Sequence, residues 1–264
     1  MLRLGWFSTG RDKAARDLLT TVQRDIERGK LEAEVAFVFS NREPGEDRES
    51  DLFLELVAGY NMPLVCFSSS KFRGGALHFD RIAYDREVMK RLEGFQPQLC
   101  ILAGYMLIVG AEMCQRYDMI NLHPAPPGGP AGTWQEVIWK LIEEEAEEAG
   151  VMMHLVTPEL DKGPPVTYCT FPIRGAAFDK HWRELEGISL EEVKTKQGES
   201  NALFRAIRRH QLVRELPLII ATLKGFSQGK FRIENKQVVD ARGNPIKGYD
   251  LSPEINEQVK KGLR

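Results

Sequence analysis

LCILAGYMLIVGAEMCQRYDMINL, from Leu99 to Leu122, sets two short apolar runs either side of a more mixed stretch. Leu99 to Ala103 predicts a buried strand, Met106 to Arg116 a short helix, and Met119 to Leu122 a second strand. Strands joined through a helix pair in parallel, because a parallel connection must cross back over the sheet. The same alternation extends toward the N-terminus: strands over Leu2 to Ser8, Val35 to Ser40 and Pro63 to Phe67, and helices over Asp12 to about Gly29, Asp47 to Gly59 and Phe79 to Leu92. In the second of these helices Leu52, Leu56 and Tyr60 share a face. Repeated β-α units predict an α/β fold with a doubly wound, mostly parallel sheet, whose ligands sit at the carboxyl ends of the strands.

Downstream, HPAPPGGPAG (His123 to Gly132) is too rich in Pro and Gly for a helix or central strand, so it is a loop. Thr133 to Glu148 resumes a helical pattern with Val137, Leu141 and Ile142 inward and EEEAEE on its solvated face. Val151 to Val156 and Val166 to Phe171 predict two strands around the loop TPELDKGPP. Arg174 to Ser200 is charged and aperiodic and resembles an insertion or flap. Asn201 to Phe226 predicts a basic-faced helix interrupted at Pro217, and Phe231 to Val239, with the turn DARGNP, a terminal β-hairpin. No linker divides the chain. Residues 1–226 are expected to form the catalytic domain, with residues 227–264 packed on it.

The 264 residues are long enough for a substantial core, and 42% hydrophobic and 28% charged residues are ordinary proportions for a globular protein. A formal net charge of -2 gives no bulk attraction to nucleic acid or an anionic membrane. There is no signal-peptide core and no apolar run of bilayer length, so a cytoplasmic protein is expected. Cys66, Cys100, Cys114 and Cys169 are scattered without metal-knuckle spacing and suit reduced, structural thiols.

Asn121 and His123 stand two apart at the end of a strand, so both point to one face just before a stiff loop. A catalytic pair suits that place, as does a turn-capping Asn beside a hydrogen-bonded His. Asp161, in LDKGP, lies in a loop between strands and is either functional or a turn former. His154, inside VMMHLV, suits a hydrogen-bonded core histidine or one supporting a neighbouring group.

LAGYMLIV, MINLHP with the Gly-rich loop after it, HLVTPELDKGPP, RELPLII, FSN (Phe39 to Asn41) and FDRIAYDREV (Phe79 to Val88) together resemble, in order, the folate-dependent formyltransferases. The resemblance runs from about Leu2 to Tyr249 and implies their Rossmann-like fold. It also implies formyl transfer from 10-formyltetrahydrofolate to an amine, with glycinamide ribonucleotide of purine biosynthesis the best-matching acceptor and no metal required. By position it assigns catalysis to Asn121, His123 and Asp161. An amide donor such as Asn121 would stabilise the tetrahedral oxyanion, an effect of roughly 100- to 1,000-fold in comparable sites. His123 would donate to the same oxygen or move a proton from the amine to the folate nitrogen, worth about 100- to 10,000-fold. Asp161 would orient and charge the imidazole. The folate ring is expected between the backbone of Met106, Leu107, Ile108 and Val109 and the loop Thr157, Pro158, Glu159 and Leu160.

The departures gather on the acceptor side. The family's glycine-rich phosphate loop reads STGRDKAA here, leaving Gly10, Arg11, Asp12 and Lys13 to meet a phosphate, unless Arg11 and Lys13 are simply exposed residues before a helix. Ala125 to Gly128 replace a serine and a Leu-Leu-Pro stretch, Leu212 stands at the family's acidic position for the acceptor ribose, and Leu107 at a common arginine. Another amine, such as an amino sugar nucleotide, is therefore an alternative acceptor. Hydrolysis of 10-formyltetrahydrofolate, a metal site built from His123, His154 and Asp161, and a non-catalytic folate- or nucleotide-binding module are further alternatives. Small-molecule partners only, and a monomer or homodimer, are expected.

Overall fold

A computed structural model of the chain describes residues 1–72, 79–175 and 177–262. Eight strands form one sheet in the order β10-β7-β6-β5-β4-β1-β2-β3. They are β1 (Leu2–Phe7), β2 (Ala33–Ser40), β3 (Leu64–Cys66), β4 (Leu99–Leu102), β5 (Met119–His123), β6 (Glu148–Leu155), β7 (Pro165–Pro172) and β10 (Tyr249–Asp250). β1 to β5 pair in parallel, while β6 runs antiparallel to both β5 and β7.

Alternation along the central strands explains the two-sided core. Leu4, Trp6, Val38 and Ile101 enter one cluster with α1 (Lys13–Glu27), α2 (Arg48–Gly59) and the later part of α8 (Ala202–Ser227). Phe7, Phe37, Phe39 and Leu102 point the other way, against α3 (Arg81–Arg91) and α4 (Ala111–Arg116). A strand covered on both faces can be apolar throughout, which is why these strands read as continuous hydrophobic runs.

Several local expectations are corrected. Met106 to Gly110 is loop, and α4 starts only at Ala111. Gly104 has φ +71°, and the amides of Met106 and Gly110 are taken by the side chains of Thr9 and Asp85, so tertiary partners replace the helical ones. α2 buries Phe53, Leu54 and Val57, with Leu52 exposed, because Phe53 packs on Gly10. α5 (Trp134–Glu143) ends early: Glu145 turns at φ +48°, and EEEAEE spans the helix end, that turn and the start of β6.

α8 continues through Pro217. Proline costs a helix interior about 3 kcal/mol. Burial of Leu218, Ile219 and Leu223 against the sheet offsets this, at about 1.5–3 kcal/mol per side chain. The segment from Arg174 contains α6 (Asp179–Arg183) and α7 (Leu190–Lys196), packed by Phe178, Trp182 and Leu190 against α5 and α8. The hairpin of β8 (Phe231–Glu234) and β9 (Gln237–Asp240) turns at Asn235 and Lys236, both with positive φ, and DARGNP makes a second turn after it, where Val239 pairs antiparallel with Pro245. Two such residues match the twist of a tight hairpin. β10 and α9 (Ser252–Gly262) complete the described chain, and α9 is an element the sequence pattern did not predict. No helix among the described residues is long and apolar enough to cross a membrane.

Candidate active site

Strand order reverses at β1, whose neighbours β2 and β4 lead away in opposite directions. A cavity of about 340 Å³ opens at this switch point, lined by residues that follow β1, β4 and β5. Asn121, His123, His154 and Asp161 all face it.

β5 supplies Asn121 and His123, and its antiparallel partner β6 sets His154 directly opposite Asn121. Asp161 returns over them at φ +53°, a left-handed conformation that Asp and Asn tolerate better than other side-chain residues. The return is close: a Cβ on Gly163 would lie 1.6 Å from the Leu155 carbonyl oxygen, so only glycine fits there.

Hydrogen bonds define the roles of the ring nitrogens. His154 Nδ1 donates to the Leu155 carbonyl at 3.0 Å, leaving Nε2 to accept from Asn121 Nδ2 at 3.1 Å. The same amide nitrogen lies 3.4 Å from Asp161 Oδ1, a long hydrogen bond. His123 Nε2 donates to the Pro130 carbonyl at 2.8 Å, and its Nδ1 faces Asp161 Oδ2 at 3.5 Å. Asp161 Oδ2 also accepts from the Gly132 N–H at 3.0 Å, tying the Pro/Gly loop to the cluster.

Burial holds the His123 pKa below its usual value, against the opposing pull of the Asp161 charge and the Pro130 carbonyl. Burial alone would raise the Asp161 pKa, yet His154, the His123 charge and the Gly132 N–H together keep it low. The free site therefore pairs a neutral imidazole with a carboxylate, so the ring can accept a proton and have the resulting charge stabilised.

The three predicted catalytic residues thus converge, and His154 joins them. Nothing in the sequence pairs residue 154 with residue 121, because that contact depends on β6 running antiparallel. Met106, Leu107, Ile108, Val109, Thr157 and Leu160 line the cavity, whereas Pro158 and Glu159 are exposed outside it. The backbone N–H groups of Leu107, Ile108 and Val109 take no acceptor among the described residues.

Of the four phosphate candidates, Arg11 and Asp12 reach the wall. Gly10 is buried against Phe53, and Lys13 turns away to Asp17 at 2.6 Å. Asp12 caps α1 by accepting from Ala15 N at 3.0 Å, so a carboxylate already occupies the anion-favouring helix end. Arg208 and Glu215, missed in the sequence, form a 2.7 Å ion pair on the wall, with Arg208 over the Trp134 ring. Their signal was present: residues 208, 212 and 215 share one helix face.

A buried His–carboxylate pair beside an amide, at the switch point of a doubly wound sheet, is the equipment of an α/β group-transfer enzyme. The formyl transferase family matches residues 9–179, and the chain belongs to that family. It is therefore a formyltransferase, in a family whose co-substrate is 10-formyltetrahydrofolate.

Phosphoribosylglycinamide formyltransferase of Escherichia coli (strain K12) is 26% identical over 175 residues, covering 64% of this chain and 68% of that protein. The enzyme of the same name from Haemophilus influenzae is 26% identical over 237 residues, covering 88% and 92%. The solved Coxiella burnetii phosphoribosylglycinamide formyltransferase shares the fold, with a TM-score of 0.69 and 20% identity across 94% of this chain and 98% of that one.

Proposed function

We propose that this chain transfers the formyl group of 10-formyltetrahydrofolate to an amine, with glycinamide ribonucleotide as the acceptor. The observation that carries this is the cluster of buried His123 and His154 with half-buried Asn121 and Asp161, at a cavity bordered by free backbone N–H groups. The names of the relatives support the choice of acceptor.

Asn121 polarises the formyl oxygen. Its longer hydrogen bond, to Asp161, is the one that the incoming oxygen replaces. Neutral His123 takes the proton of the attacking amine and returns it to the departing folate nitrogen, while Asp161 stabilises the transient imidazolium. His154 fixes the amide of Asn121. The amides of Leu107 to Val109, with Thr157 and Leu160 opposite, hold the folate ring, and Arg11 meets the acceptor phosphate. The hairpin and tail from residue 227 are read as part of the same domain, a reading supported by the core that Phe231 and Ile255 share with Leu218. The enzyme works in the cytoplasm on small molecules, as a monomer or homodimer.

Asp12, capping α1 where a phosphate would bind, favours a second reading of the acceptor alone: an amine recognised without a dianion at that helix. Incubation with 10-formyltetrahydrofolate and glycinamide ribonucleotide, following folate product and formylated amine, tests both. Efficient turnover supports the first acceptor, and transfer only to other amines the second. Formate release without any acceptor would assign hydrolysis instead, and no reaction with any amine or water would refute the proposal.

A further inference from the structure

Two stretches of sequence, FSN and FDRIAYDREV, lie outside the catalytic cluster. Asp85 of the second nonetheless meets one end of the loop Gly104 to Gly110, and Asn41 of the first supports Thr9, which meets the other. At its first end Thr9 Oγ1 accepts the Met106 N–H at 2.9 Å and donates to Asn41 Oδ1 at 2.7 Å. Asn41 is anchored in turn by donating to Ser69 Oγ at 3.0 Å, and the Thr9 N–H donates to the Gly104 carbonyl at 3.0 Å. At the other end Asp85 Oδ2 accepts the Gly110 N–H at 2.6 Å. Thr9, Asn41 and Asp85 are all at most 4% exposed.

Burying a carboxylate is costly unless it makes a strong bond in place. Among the described residues Asp85 accepts from one amide, the last of the loop that borders the cavity. Gly110 has no room to spare beside it, since a Cβ there would lie 2.8 Å from Asp85 Oδ2. Between the clamps, Leu107, Ile108 and Val109 present N–H groups with no acceptor among the described residues. A loop held at both ends and left unpaired in the middle is pre-organised to hydrogen-bond a flat, polar-edged ring.

We infer that Asp85, assisted by Thr9 and Asn41, is a positioning residue for the donor: it clamps the loop Met106 to Val109 in the shape that receives the folate ring. This rests on the proposed assignment of that loop to the donor. The groups around Asp85 make the clamp sensitive to pH. Burial pushes the Asp85 pKa up to about 6, opposed by the Gly110 N–H and by Arg81 on the same helix, and reinforced by Glu112 on α4. Tyr84 beside it and Tyr105 and Cys114 from the facing elements are electrostatically coupled to it, and burial keeps all three protonated in this range. The clamp is a carboxylate above that pH and a neutral acid below it, so donor affinity falls as pH drops through about 6.

The test is equilibrium binding of a folate analogue that cannot transfer a formyl group. Wild-type, Asp85→Asn and Gly110→Ala proteins are titrated between about pH 5 and 8, with thermal unfolding of each. Asp85→Asn keeps the shape but loses the charge-assisted bond. It is expected to bind the analogue about tenfold more weakly at neutral pH, with a flatter pH dependence than wild type. In turnover, the donor KM rises and kcat at saturating donor stays close to wild type. A folded Asp85→Asn protein with wild-type affinity and pH dependence, or one altered only in melting temperature, overturns the inference. If Asp85→Asn does not fold, Gly110→Ala decides, because its methyl group displaces the carboxylate: unchanged affinity there overturns the clamp. Wild-type protein that binds no folate at any pH refutes the donor assignment itself and the clamp with it, whereas wild-type binding with unaffected variants refutes the clamp alone.

Discussion

Asp161→Asn separates charge from shape at the centre of the site. Asparagine tolerates the left-handed backbone of residue 161, and its carbonyl oxygen can still accept the Gly132 N–H. What disappears is a negative charge 3.5 Å from His123 Nδ1; at that distance a unit charge pair is worth about 1 kcal/mol in water-like surroundings and about 5 kcal/mol at the effective dielectric of a partly buried site. In the proposed mechanism His123 becomes cationic only as it takes up the amine proton, so this energy belongs to the transition state. Turnover is expected to fall by about 10- to 3,000-fold.

The pH profile supplies the sign. Burial already holds the His123 pKa low, and Asp161 pulls it up, so losing the charge lowers it further. The acid limb of kcat/KM, where His123 gains its proton and stops acting as a base, therefore moves to lower pH while the plateau drops. Steady-state rates between about pH 5 and 8 measure both. A limb that stays in place or moves upward, or a plateau within twofold of wild type, would refute the pairing of His123 with Asp161.

Asn121→Ala should lower kcat at least roughly 100-fold with donor binding little changed, and single-turnover rates beside folate-analogue titration will show whether the loss lies in the chemistry. Arg11→Ala should raise the KM for a phosphorylated acceptor, while Lys13→Ala should leave it within twofold, since Lys13 is committed to Asp17 and does not reach the cavity; equal effects would overturn that division. Thr133→Ala removes the capping box at the start of α5, where Thr133 and Glu136 bond reciprocally. It should cost about 1 kcal/mol, or about 2–4 °C in melting temperature for a chain of this size, as read by thermal unfolding.

The β-α frame was legible because each central strand is covered on both faces and so written as an apolar run. The start of α4 was not. Met106 to Val109 has helical composition, but the partners that unwind it, Thr9 and Asp85, lie far away in sequence. Asn121, His123 and Asp161 could be located from strand ends, loops and family resemblance, whereas the place of His154 required knowing that β6 reverses direction. Arg208 and Glu215 could be reached only through Leu212, whose helix face they share, because the many charges of α8 do not themselves say which face meets the cavity. α9 follows a charged turn, and its packing through Ile255 and Val259 becomes apparent only with β7 beside it.

The bare α-carbon of Gly163 bears on how distant relatives are judged. The strand leaving β6 and the chain bearing Asp161 touch backbone to backbone at that point, with no space for one more carbon. A homologue could keep the amide, both imidazoles and the carboxylate letter for letter and still be inert, through a single added methyl group two residues beyond the aspartate. A complete set of the four candidate side chains is thus a poor certificate of activity unless the residue with no side chain is checked as well.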